Sequence, residues 1–141
     1  CEAYLRPDGK KWIGLALGAA GAMLVYRQSQ VKAAGFDSFP KDTTGFLKLL
    51  KALDAKGTPA GMALGNATGD GLWTNWLIWS HGGKLVDKNN KVVIDSPETI
   101  RALEYAKEMY ATFIPGTPTW RDPNNNNAFH DRQITPNNTG R

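Results

Sequence analysis

Apolar positions along the chain fall into two kinds of run. Between Asp42 and Gly57, the residues Phe46, Leu49, Leu50 and Leu53 recur at i, i+3, i+4 and i+7, which places them on one face of a helix. Asp42 or Thr43 opens that helix and Gly57 closes it. Ser96-Pro97-Glu98 reads as a second helix start: a capping hydroxyl, a proline where no N–H is needed, and an acid in the first turn. Ile100, Leu103, Ala106, Tyr110 and Phe113 continue it on one expected apolar face, so Ser96 to Phe113 is the longest helix expected. Leu72 to Ser80 reads as a third helix, stopped by Gly82-Gly83. Ser29 caps a short helix over Gln30 to Ala34, ended by Gly35.

The other apolar runs are short and continuous, as in buried strands: Trp12 to Leu17, Met23 to Tyr26, Gly61 to Gly65, Leu85-Val86 and Val92 to Ile94. A polar turn over Asp87 to Lys91 joins the last two. Ile114 to Asn127, with its prolines and four consecutive asparagines, reads as a long loop. Ala128 and Phe129 form a short helix at best, and Ile134 begins a last strand. Strands alternating with helices predict an α/β fold with a mainly parallel sheet flanked by helices.

Composition narrows the classes of function. The chain has 141 residues, the length of one domain, with 41% hydrophobic and 21% charged residues. Its net charge of +4 is scattered without a run of like charges, so no nucleic-acid or polybasic membrane patch is expected. Trp12 to Tyr26 carries no charge but has only 15 residues, short of the roughly 20 that span a bilayer. The single cysteine, Cys1, excludes an internal disulfide. It fits a lipid-anchored mature end or, as we expect, a piece cut from something longer. Two histidines 49 residues apart make no metal cage, and no cofactor is expected.

Enzyme motifs are thin. Gly69-x-Gly71 is followed by Thr74 where a dinucleotide loop needs glycine. Asp87 to Lys91 begins like a calcium loop but puts Lys91 and Val92 at positions that need an oxygen ligand and a glycine. His130-Asp131 lacks a nucleophile and reads as a solvated pair. Asn66-x-Thr68 and Asn137-x-Thr139 match the glycosylation pattern only weakly.

Binding signals are better. Trp73, Trp76 and Trp79 follow the polar, glycine-rich loop Asn66 to Gly71. Trp76 and Trp79 are read as core. Trp73 falls in the first turn after a strand, beside Asp70 and Asn66, where ligands sit in open α/β sheets. An indole face there stacks on an apolar sugar face while acid and amide groups take hydroxyls. Trp120-Arg121-Asp122-Pro123-Asn124 repeats the mix of one aromatic with acid and amide.

The order of motifs is specific. Asp8-Gly9-Lys10-Lys11-Trp12-Ile13-Gly14-Leu15 leads to Gly18-Ala19-Ala20-Gly21, then Val25-Tyr26-Arg27 and Val31-Lys32-Ala33-Ala34-Gly35-Phe36. Phe39-Pro40-Lys41, Trp79-Ser80-His81-Gly82-Gly83, Val92-Val93-Ile94-Asp95-Ser96-Pro97-Glu98-Thr99 and Ala128-Phe129 follow. Over nearly its whole length the chain resembles extracellular solute-binding proteins of the sugar-binding class that serve ABC importers. The resemblance implies a periplasmic-binding-protein-like lobe: residues 1–18 ending a first lobe, 19–21 a hinge crossing, and 22–141 most of a second lobe. It implies a carbohydrate ligand, a membrane permease as partner, and a periplasmic or extracellular location, through the transporter or a lipid anchor. Ligand-binding positions carried over are Asn66, Asp70, Trp73, Trp120, Asp122 and Asn138, with Ala19 and Ala20 at the hinge floor. After Ala128-Phe129 the family shows glycine where this chain has Arg132, and Pro136 and Arg141 depart from its pattern as well. A lobe lacking its neighbouring segments is expected to self-associate. The other readings are a carbohydrate-active enzyme fragment using Asp70 and Asp122, and an inactive fragment.

Overall fold

The computed structural model describes residues 22–64 and 72–140. Along them run β1 (Ala22–Val25), α1 (Gln28–Ala33), α2 (Thr43–Ala55), α3 (Leu72–Ser80), α4 (Pro97–Tyr110), a 3₁₀ turn (Thr117–Thr119), α5 (Asp122–His130) and β2 (Asn137–Gly140). The expected strand at Trp12 to Leu17, the hinge crossing at 19–21 and the loop Asn66 to Gly71 lie outside the described residues.

An extended segment, 59–64, is the middle of the sheet. On one side it pairs in parallel with the chain after α4, through the bridge Ala60–Phe113, with Ile114 N–H donating to Ala60 at 2.9 Å. On the other it meets the chain entering β2, through the parallel bridge Gly61–Asn137, with Thr135 N–H donating to Pro59 at 2.9 Å. β2 pairs antiparallel with β1, from Ala22↔Gly140 to Val25↔Asn137. The regular ladder among the described residues is thus the antiparallel pair β1–β2, and the two parallel pairings are single bridges beside it. The fold class is the one the sequence predicts, with shorter ladders than its apolar runs imply.

Helix α2 forms as its pattern requires. The Asp42 carboxylate accepts from Gly45 N–H at 2.8 Å, capping the helix, and Phe46, Leu49, Leu50 and Leu53 are all buried. Helix α4 is the longest, capped by Ser96, whose hydroxyl accepts from Thr99 N–H at 3.2 Å, with Pro97 at its start. Its buried stripe is not the one expected. Thr99, Ala102 and Met109 face the core, while Ile100 and Leu103 stay 54% and 60% exposed. At this side of the helix only glycine fits position 83, where an added side-chain carbon would meet Ile78 Cγ2 at 2.7 Å and Thr99 Oγ1 at 3.2 Å.

The main core joins Phe46 and Leu50 of α2, Trp73, Leu77 and Ile78 of α3, Ala102 and Met109 of α4, and Ala60, Met62 and Phe113 of the sheet. Val31, Leu49 and Leu53 make a second cluster between α1 and α2. The Asp87 hairpin forms as a polar turn: Asp87 Oδ1 accepts from Asn89 and Lys91 N–H at 2.8 and 3.0 Å. Val86 and Val92 form an antiparallel bridge beside it.

The asparagine run corrects the sequence reading. Asp122 to His130 is a helix, not the end of a loop. Pro123 sits at its first positions, and the Asn124 carbonyl oxygen accepts from Arg121 N–H at 2.8 Å. Asparagine has modest helix propensity but fits helix starts, where its amide takes a free backbone N–H. The helix ends at His130, and Arg132, just past its cap, has a left-handed φ of 61°. Glycine is the residue that conformation favours, which accounts for the glycine that the family pattern places there.

Candidate ligand-binding face

The three parallel segments of the sheet point their carboxyl ends the same way, and each leads into expected ligand residues. The chain leaving 59–64 enters the loop with Asn66 and Asp70, outside the described residues, and then α3. The chain leaving Phe113 reaches Trp120 and the start of α5 at Asp122. β2 carries Asn138. β1 runs the other way and begins at this same end, where Ala22 pairs with Gly140, so Ala19 and Ala20, also outside the described residues, come just before it in sequence. The outer carboxyl ends of parallel strands are where α/β sheets bind ligands. Helices α3 and α5 begin after two of these segments.

Trp120 is half-buried. A side-chain carbon added at Gly61 would meet Trp120 Cζ3 at 2.9 Å and Ile134 Cδ1 at 2.8 Å. The indole edge therefore lies on the bare backbone of Gly61, and only glycine leaves it room there.

Two of the three tryptophans of α3 reverse their expected packing, while Trp76 packs against the core as expected. Trp73, expected as the open stacking face, is 4% exposed, and its indole N–H donates to the Ala63 carbonyl at 2.9 Å. It packs edge-on to Phe113, with ring centroids 6.3 Å apart. Trp76 is half-buried, and Trp79, expected in the core, is 58% exposed. The cause is the first turn of α3: it packs directly on the segment it follows, so its apolar side chain goes under the sheet edge. Helical spacing alone could not show that.

A row of rings, Tyr26, Phe39, Phe46 and Trp76, runs from β1 to α3, with successive centroids 4.5, 5.6 and 6.5 Å apart. Phe39, Phe46 and Trp76 of this row floor a groove of about 400 Å³ also lined by Leu24, Lys41, Asp42, Thr43 and Ser80. No expected ligand residue lines this groove. His130 and Asp131 are exposed, as expected of a solvated pair. Among the described residues no cluster of three or more His, Cys, Asp or Glu side chains could hold a metal. No helix among them is long and apolar enough to cross a membrane.

Several residues of this face escaped the sequence reading. Asn137, at the start of β2, is 2% exposed. Its Oδ1 accepts from Asn125 Nδ2 and its Nδ2 donates to Asn126 Oδ1, both at 3.0 Å. That burial also removes Asn137 as a glycosylation acceptor. Arg27, after β1, lies 4.0 Å over the Phe129 ring and donates to the carbonyls of Phe129 and Ile134, so a cation sits at the carbonyl end of α5. The signal available for α5 was proline followed by asparagine ahead of Ala128-Phe129; for Arg27 there was none.

The family model of bacterial extracellular solute-binding proteins matches residues 2–135. The chain belongs to that family. Among solved structures, this solute-binding chain is similar to the maltose-bound MalE3 of T. maritima, at 25% identity and TM-score 0.71, over 86% of this chain and 32% of that one. It is similar to a sugar transporter protein from Arthrobacter chlorophenolicus A6 with bound laminaribiose, at 20% identity and TM-score 0.81, over 98% and 35% of the two chains. The sugar-binding protein MalE from Xanthomonas citri gives 17% identity and TM-score 0.73, over 99% and 35%. This solute-binding chain thus spans about a third of the length of each. No curated protein matches it.

Proposed function

We propose that residues 22–141 are most of the second lobe of a two-lobe carbohydrate receptor, with residues 1–18 ending the first lobe and 19–21 crossing the hinge. The receptor captures a mono- or oligosaccharide in the periplasm or outside the cell and presents it to an ABC transporter permease. It is held at the membrane by that permease. The observation that carries this reading is the match to the solute-binding family over residues 2–135, in a chain whose sheet segments lead in sequence to Trp120, Asp122 and Asn138. Asp122 and Asn138 bring hydrogen-bonding groups for hydroxyls, and the half-buried Trp120 an apolar face. The sugars bound by the similar solved proteins agree with that chemistry. Asn66 and Asp70 complete the face from the loop ahead of α3, and Ala19 and Ala20 from the hinge. Trp73 supports the wall from behind.

The chain captures sugar without turning it over. Titration with maltose and laminaribiose tests the reading: binding without any new reducing end is expected, and appearance of reducing ends would favour hydrolysis through Asp70 and Asp122. One lobe closes only half a cleft, so the 141 residues alone bind in the millimolar range, about −4 kcal/mol. Their exposed apolar side chains favour association between copies.

A further inference from the structure

The three asparagines 125, 126 and 137 form a buried amide bridge that the proposed sugar face does not explain by contact. We infer that Asn137 is a positioning residue: its amide clasps the first half of α5 to β2 and so fixes the distance between Trp120, Asp122 and Asn138. This rests on the sugar-binding reading for its consequence, though not for the clasp.

The geometry is specific. An amide has one accepting and one donating end. Asn137 uses both on successive residues of α5, taking a proton from Asn125 and giving one to Asn126. Its backbone is held as well, in register with Val25 on one side and Gly61 on the other. Asn124, one residue earlier, ties Arg121 N–H to the same turn. The segment from Arg121 to Asn126 is therefore bound to the sheet through one side chain. Apolar contact would hold these pieces together but allow sliding, whereas two hydrogen bonds of opposite polarity set register and rotation. A buried side chain of this kind, left half satisfied, is costly, so the clasp is either complete or broken.

The test uses the whole chain, with Asn137→Leu, the milder Asn126→Ala, and Leu49→Val in the separate α1–α2 cluster as a control of similar destabilisation. Folding of each is checked by near-ultraviolet circular dichroism. Amide exchange at Arg121, Asn124, Asn125 and Asn126 is then followed, and maltose and laminaribiose are titrated by chemical shift. Faster exchange at those amides and a roughly fivefold weaker sugar Kd are expected in both asparagine variants, with neither changed in Leu49→Val. Unchanged exchange at these amides in folded Asn126→Ala or Asn137→Leu overturns the clasp. So does equal loosening in the Leu49→Val control. Faster exchange with an unaltered Kd overturns the positioning role. If the unmodified chain shows no sugar-dependent shift, the sugar reading fails, and the exchange rates still decide the clasp.

Discussion

The α2–α3–α4 half of the molecule and the α5–β2 half are held together by different physics. The first is a cluster of apolar side chains around Phe46, Leu50, Leu77 and Met109, with Trp73 wedged beneath the start of α3. The second buries fewer apolar side chains, Ala128, Ile134 and Pro136 among them, and is tied as well by directional bonds: the asparagine bridge, the Asn124 cap, and Arg27 across the end of α5. Apolar packing supplies most stability but tolerates small shifts of its parts. Hydrogen bonds add less and define geometry more narrowly. A lobe that must present an acid, an amide and an indole to one ligand has reason to place its stability in one half and its positioning in the other.

Deleting the wedge should break the contrast most severely. Trp73→Ala opens the core and strands the Ala63 carbonyl, so a loss of about 3–5 kcal/mol is expected in urea unfolding. Trp79→Ala, at an exposed ring, stays within about 0.5 kcal/mol. Equal losses from the two would place both rings in similar surroundings. Arg27→Ala removes two hydrogen bonds from a charged donor and a cation–π contact, and about 2 kcal/mol is expected to go. Arg27→Lys does not restore it, because a lysine cannot lie flat on Phe129 while reaching both carbonyls.

The two halves were legible to different degrees for the same reason. Apolar periodicity reports burial, so α2 could be read to within a residue, cap included. The periodicity failed inside that half in α4, where Ile100 and Leu103 face outward and Thr99, Ala102 and Met109 are buried instead. Hydrogen-bond partners leave no periodic trace. Asn124 to Asn127 looked like loop because each amide is polar, and nothing local shows that two of them reach a residue eleven or twelve positions on. Among the candidate site residues, Trp73 goes under the sheet edge, with its indole N–H on the Ala63 carbonyl. A strand-to-helix turn marks the right end of a sheet without telling which side chains look outward.

A smaller effect sharpens the comparison at the junction after α5. Arg132 sits at a φ of 61°, which costs a non-glycine residue roughly 1 kcal/mol. Arg132→Gly is therefore expected to stabilise the chain by up to about 1 kcal/mol, measured by thermal unfolding, and destabilisation would mean that the arginine side chain has a compensating contact.

Another effect is confined to alkaline pH. Burial, followed by the charges of Asp42 and Glu108, pushes the Tyr105 hydroxyl up to about 12 from 10.0. That hydroxyl donates to the Thr43 carbonyl at 2.6 Å, joining α4 to the start of α2. Above pH 10 the unfolded chain loses this proton while the folded chain keeps it. The folded state then binds more protons, and stability falls as pH rises from about 10 toward about 12. Tyr105→Phe should flatten that fall in urea titrations at successive pH values; an identical slope would exclude Tyr105 as its source.

The most direct measurement of the proposed sugar face is a chemical-shift titration of the chain with maltose and laminaribiose up to tens of millimolar. The account predicts saturable, millimolar shifts concentrated at Trp120, Asp122 and Asn138, with Phe39, Phe46 and Trp76 in the aromatic groove unmoved. Shifts confined to the groove, or none at the α5–β2 end, would contradict it.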